Sequence, residues 1–100
     1  MKIPKRFQMH GQVIEVQFNE KLNYRDDNRG LASFRRNVIE LQPTSDSTPM
    51  PQTHIEQTFC HELIHYLFHH AGMAEDRDNE QKVDLLASIL HQAFTTMEYE

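Results

Sequence analysis

The stretch Thr58-Phe59-Cys60-His61-Glu62-Leu63-Ile64-His65 decides how this chain is read. His61 and His65 are four residues apart. On a helix, residues at that spacing are neighbours on one face, with Cβ atoms roughly 5–6 Å apart. Two imidazoles so placed can converge on one zinc ion. Glu62 follows His61 directly, so it flanks the same site without being a natural third ligand. It is suited to act as a base toward water there, and a zinc ion lowers the pKa of its water to about 7. With this chain's His and Glu content, an H-E-x-x-H arises by chance roughly 0.04 times. Two readings remain, a metal-binding helix and a helix that carries solvent-facing histidines. The apolar residues packed around the motif favour the first.

Working outward, the spacing predicts a helix over 54–70. Thr53 and Glu56 have the separation of a capping box, and Gly72 is a natural stop. Apolar residues lie nearly all round this helix, which predicts that it is largely buried. A second helix is predicted over 78–97, with Val83, Leu86, Ala87, Leu90, Ala93, Phe94 and Met97 on one stripe. Asp76 and Asp78 suit its positive N-terminal end. Before the helices the chain reads as strands. Residues 12–18 alternate, with Ile14, Val16 and Phe18 on the inner face. His10-Gly11 is a turn signal, and 3–8 is expected to pair back as a hairpin. Residues 23–30 are polar and predict a loop. Residues 31–34 and 38–42 are two further short strands. Three prolines within 43–51 forbid a helix there. Strands first and helices after predict an α+β fold, a small three- or four-stranded, mostly antiparallel sheet followed by two long helices.

A catalytic zinc site needs a third protein ligand. Glu80 lies three residues before Val83 and seven before Ala87, so it is expected on their buried stripe, where a carboxylate must be paired or bind metal. The alternative is an ordinary first-turn acid. Asp84, one turn on, is placed to accept the second ring N–H of a ligating histidine, or is a surface charge. His69 is a poor third ligand, because positions i, i+4 and i+8 on one straight helix cannot surround an ion. Ala71 stands where a metzincin needs its third histidine. His91 either approaches the site or lies on the surface. His10, His54 and His70 read as incidental, and Cys60 as core.

Composition bounds the rest. One hundred residues make one domain, 1–100, and seven histidines, six of them in the second half, are the compositional outlier. A single cysteine excludes an intramolecular disulfide and every cysteine-rich zinc fold. Residues 1–50 carry a net +2 and residues 51–100 a net −7, which argues against nucleic acid as a partner. Arg25, Arg29, Arg35 and Arg36 form a small basic group, read as a solvated face or a hold on an acidic partner. No stretch is apolar enough for a membrane span, and neither a signal peptide nor paired cysteines are present, so the expected location is cytoplasmic.

The Thr58–His65 segment and the Glu80-x-x-Val83-Asp84-Leu85-Leu86-Ala87 segment together resemble gluzincin-type zinc peptidases. More narrowly, they resemble the small ImmA/IrrE-like metallopeptidases of phages and bacterial mobile elements. Asn79-Glu80 with Asp84 is similar to the N-E-x-x-x-D pattern of thermolysin-type enzymes. The resemblance covers roughly residues 30–95. It implies one Zn²⁺ held by His61, His65 and Glu80, Glu62 as general base, and a protein or peptide substrate. It also implies a substrate-binding strand beside the metal, Leu31-Ala32-Ser33-Phe34 or residues 38–41. The gap from His65 to Glu80 is shorter than in thermolysin-like enzymes, and no histidine or tyrosine stands out as an oxyanion partner. A zinc-binding regulatory module without turnover is therefore the alternative reading.

Overall fold

A computed structural model describes residues 1–22, 29–45 and 48–100. The predicted loop over 23–30 falls mostly outside these residues, and Arg25 falls outside them entirely.

The first hairpin joins β1 (Arg6–Met9) to β2 (Gln12–Phe18). Its turn places both His10 (φ 52°) and Gly11 (φ 75°) in the left-handed region, which fits the right-handed twist of the flanking strands. The second hairpin joins β3 (Gly30–Ser33) to β4 (Val38–Leu41), with Asn37 at φ 54° in the turn. The sheet order is β1-β2-β4-β3. Both outer pairings are antiparallel, and the central β2–β4 pairing is parallel. The expected α+β architecture is the one found. Phe18 departs from its expected inner position. It is 55% exposed, because it lies at the last residue of β2, where the covering layer ends.

The proline-rich stretch contains a two-stranded ribbon, β5 (Thr44–Ser45) with β6 (Thr48–Pro49). It leads into α1 (Gln52–His70). The predicted capping box does not form. The N-cap is Pro51, without a side-chain cap bond, so Thr53 already lies inside the helix. Glu56 is buried and turned to other partners. The C-terminal stop is as expected. Gly72 adopts φ 72°, its N–H donates to the His69 carbonyl, and the Met73 N–H donates to the Phe68 carbonyl. This is a Schellman closure that satisfies carbonyls the helix end would leave open. From residue 58 onward only Leu67 of α1 is exposed.

The predicted second helix divides in two. A short turn, α2 (Ala74–Arg77), precedes α3 (Glu80–Thr96). Asn79 is the N-cap of α3, its side chain accepting from the Lys82 N–H. Asp76 pairs with Lys82 and Asp78 with Arg77, so neither acid serves chiefly the helix dipole. Met97 is half-exposed just beyond the helix end.

Helix α1 is the middle layer. Ile14, Ile39 and Leu41 of the sheet meet Ile55, Phe59, Cys60 and Ile64 of α1, and Val83 and Ala87 of α3 close the other side. Each of the buried isoleucine, leucine, valine and phenylalanine side chains among these contributes about 1.5–3 kcal/mol by leaving water. Tyr66 is fully buried under the second hairpin, where its hydroxyl donates to the Ser33 carbonyl (2.7 Å) and lies 3.2 Å from that of Val38. That contact fixes β3 and β4 over the helix segment that carries His61, Glu62 and His65.

Candidate metal centre

His61 and His65 project from one face of α1 toward the first turn of α3. Their Nε2 atoms are 3.1 Å apart. The Glu80 carboxylate caps the pair, with Oε2 3.0 Å from His61 Nε2 and Oε1 3.2 Å from His65 Nε2. The three side chains can hold a metal ion. A tetrahedral ion with ligands at 2.0–2.2 Å separates neighbouring ligand atoms by about 3.3–3.6 Å, so the observed closest approaches of 3.0–3.2 Å fit with small adjustments. The donor chemistry fits as well, since two imidazoles and one carboxylate are a zinc set.

Glu80 does not lie on the buried stripe expected for it. Its side chain is 65% exposed, because it is the first residue of α3 and stands beyond the core. What directs it is the Asn79 cap, which fixes where the helix starts and aims its first side chain back over α1. Asp84 occupies the outer position considered for it, with Oδ1 2.6 Å from His61 Nδ1. A proton on Nδ1 donated to Asp84 leaves the Nε2 lone pair of His61 facing the centre. The backbone of Arg77 plays the comparable part for His65, lying in hydrogen-bonding range of its ring. Burial holds His65 below the usual histidine value, against the pull of Glu80.

Glu62 is 7% exposed and lies beside the triad against β3. Desolvation pushes its carboxyl up to about 7 and Glu80 adds to the shift, while His61 and a hydrogen bond from the Ala32 backbone oppose it. Gly30 makes this closeness possible, since a Cβ there would lie 2.5 Å from Thr58 Cγ2 and 3.2 Å from Glu62 Cγ. Of the two strands considered for the cleft wall, β4 is flanked on both sides, and β3 is the edge strand. Leu31, Ala32 and Phe34 line the cleft with the triad, Glu62, Gly30, Arg77 and Asp78, and the Ser33 backbone carbonyl accepts from Tyr66. The cleft encloses about 310 Å³.

The SprT-like family model matches residues 4–92. The chain belongs to the SprT-like family. This family is zincin-like and metallopeptidase-related, which supports the broad class read from the motif but not the narrower ImmA/IrrE-like resemblance. Neither a curated protein nor a solved structure matches this SprT-like chain. Among the described residues, no helix is long and apolar enough to cross a membrane.

The other histidines fall elsewhere. His69 stacks on Phe34 (4.2 Å, 8°) with Nδ1 3.1 Å from Arg77 Nη1. His91 is neither at the cleft nor on the surface. It is part-buried, its Nε2 2.9 Å from Glu56 Oε1, because Glu56 lies before His61 on α1 and meets α3 about three turns beyond Glu80. His54 is exposed in the first turn of α1, and Cys60 is core, its thiol pushed up to about 11 by burial. Gly30, the Tyr66 hydroxyl and Arg77 escape a reading by periodicity. The one available signal is the Asn79 cap, which places Arg77 just ahead of the ligand-bearing helix.

Proposed function

We propose that this protein hydrolyses a peptide bond with one Zn²⁺ held by His61, His65 and Glu80, using water activated by Glu62. The observation that carries the reading is the convergence of two imidazoles and the Glu80 carboxylate, whose closest approaches are 3.0–3.2 Å, in the same cleft as a buried carboxylate and an edge strand. A bound zinc ion supplies Lewis acidity toward a carbonyl and acidity to water. The protein supplies the rest. Glu62, shielded from solvent, accepts the water proton and passes it to the leaving amine. Asp84 and the Arg77 backbone keep both imidazoles turned inward. The edge of β3, around Ala32, receives an extended substrate backbone by strand addition. In this reading the partners are proteins or peptides, not nucleic acid, and the protein acts in the cytoplasm.

The test is Glu62→Gln. It is expected to retain stoichiometric zinc and to lose hydrolysis of a peptide library by roughly 10²–10⁴-fold. Equal turnover by the variant and the parent would sink the mechanism.

One observation favours a second reading, a zinc-dependent binding module. Among the described residues lining the cleft, no tyrosine or additional histidine stands ready to stabilise an oxyanion. Under that reading Glu62→Gln changes no measurable property, and the zinc-loaded parent cleaves nothing.

A further inference from the structure

The cleft has a second pole that the hydrolytic reading does not use. Arg77, the last residue of α2, contributes the only cationic side chain among the described residues that line it. The guanidinium is held from several sides. Its carbon lies 5.4 Å from the centre of the Phe34 ring, and Nη1 is 3.1 Å from His69 Nδ1. Nε donates to Asp78 Oδ1 (3.0 Å), and Nη2 makes a longer bond to Asp78 Oδ2 (3.4 Å). Phe34 in turn stacks on His69, so the platform is itself fixed. Only 26% of the Arg77 side chain is exposed, whereas 69% of its partner Asp78 is.

These features belong together in a recognition element. A guanidinium presents five N–H donors in a planar fork that matches a carboxylate, and bracing it in advance reduces the ordering entropy that binding must overcome. The fork is not saturated, since its recorded contacts use three of those donors. Asp78 is largely exposed, so solvent screens its pairing with Arg77 and an incoming carboxylate can exchange for it. The other charged side chains lining the cleft are acids, Glu62 and Glu80 besides Asp78, so an incoming carboxylate has Arg77 as its one favourable side-chain partner there.

We propose that Arg77 is the specificity-determining residue of this cleft. It selects peptides that present a carboxylate near the scissile bond, from an acidic side chain or from the carboxyl terminus. The inference rests on the peptidase reading for the phrase "scissile bond", and on the Arg77 geometry alone for the carboxylate.

The experiment uses the zinc-loaded full chain and fluorescent alanine-based hexapeptides. Each carries Glu or Gln at one position and ends in a free acid or an amide. Binding is read by anisotropy and cleavage by chromatography. One series is expected to bind about tenfold tighter than its neutral counterpart, the Glu series if a side chain is read or the free-acid series if the terminus is. Arg77→Gln should reduce that preference to within twofold while zinc content stays stoichiometric, and Arg77→Lys should keep part of it. Asp78→Asn should increase the preference, because it removes the internal competitor. A purely structural clamp would not produce that gain. Equal binding of charged and neutral peptides by the parent, or a preference that survives Arg77→Gln, overturns the proposal. Preference without cleavage of any peptide overturns the peptidase reading and leaves Arg77 as the carboxylate reader. Cleavage without preference does the reverse.

Discussion

Helices α1 and α3 face each other through two histidine–carboxylate constellations that look alike on paper and differ in proton inventory. In the first, Glu56 on α1 receives His91 from α3 at 2.9 Å and the Met1 amine at 3.1 Å. In the second, His61 and His65 on α1 receive Glu80 and Asp84 from α3. Around Glu56, one acceptor meets two groups that carry protons, and all three are nearly buried. That set is complete by itself. Around His61 and His65, two imidazole nitrogens and a carboxylate point at one another. Once Asp84 holds the outer proton of His61, the inner set has more lone pairs than protons to fill them. Such a set gains from a cation. Residue type does not separate a structural pair from a metal centre here, but the count of donors against acceptors does.

The largest effect should come from the complete cluster. Glu56→Ala leaves His91 and an amine without their acceptor, and should destabilise the fold by about 3 kcal/mol or more in denaturant titrations. The loss should be the same with zinc or with chelator. A loss that zinc reverses would merge the two constellations into one.

Next comes metal linkage. Zinc at 100 times its dissociation constant should stabilise the parent by about 2.7 kcal/mol, and His61→Ala or Glu80→Ala should abolish that increment. If those variants keep stoichiometric zinc and the full thermal shift, the ligand assignment is wrong.

A smaller effect is expected at Asp84. Asp84→Asn should weaken zinc binding by roughly 10–100-fold without removing it, as measured by competition with a chromophoric chelator. An unchanged affinity would make the 2.6 Å contact to His61 a surface pairing only.

The pH dependence sharpens the contrast further. The Glu56 carboxyl is held below the ordinary 4.5, chiefly by its hydrogen bond from His91 and further by the N-terminal amine, against the cost of burial. A group with a depressed folded value contributes stability that is present above the unfolded value. That stability is lost as pH falls through the folded one. In chelator, the parent should therefore lose stability progressively below about pH 4.5, and Glu56→Gln should flatten that limb. An unchanged acid limb in the variant would show that other carboxylates govern it.

Much of this was legible in the sequence because it depends on local periodicity. The i, i+4 spacing of His61 and His65 fixes their shared face, alternation marks β2, and Gly72 ends α1 for a conformational reason that holds in any context. The Thr53–Glu56 capping box misled because the same residue pair satisfies a local rule and a distant demand, and the distant one won. A carboxylate that can meet His91 across a helix interface gains more than one that serves an N-terminal amide in water. Glu80 meets the histidines without the burial expected of it, since a stripe drawn on a helix ignores where the helix emerges from the core.

By itself, then, the chain determined that two histidines share a helix face with a glutamate flanking them, that a strand layer precedes two long helices, and that an intramolecular disulfide and a cysteine-rich zinc fold are excluded. Each of these follows from intrinsic geometry within a few residues. Only the tertiary structure decided that Glu80 and Asp84 meet those histidines while Glu56 and His91 meet each other. It also decided that β3 rather than β4 is the free edge, and that Arg77 turns its guanidinium into the cleft. Those outcomes depend on how helices and sheet are packed against one another. Packing is set by the whole core, so no local pattern carries it.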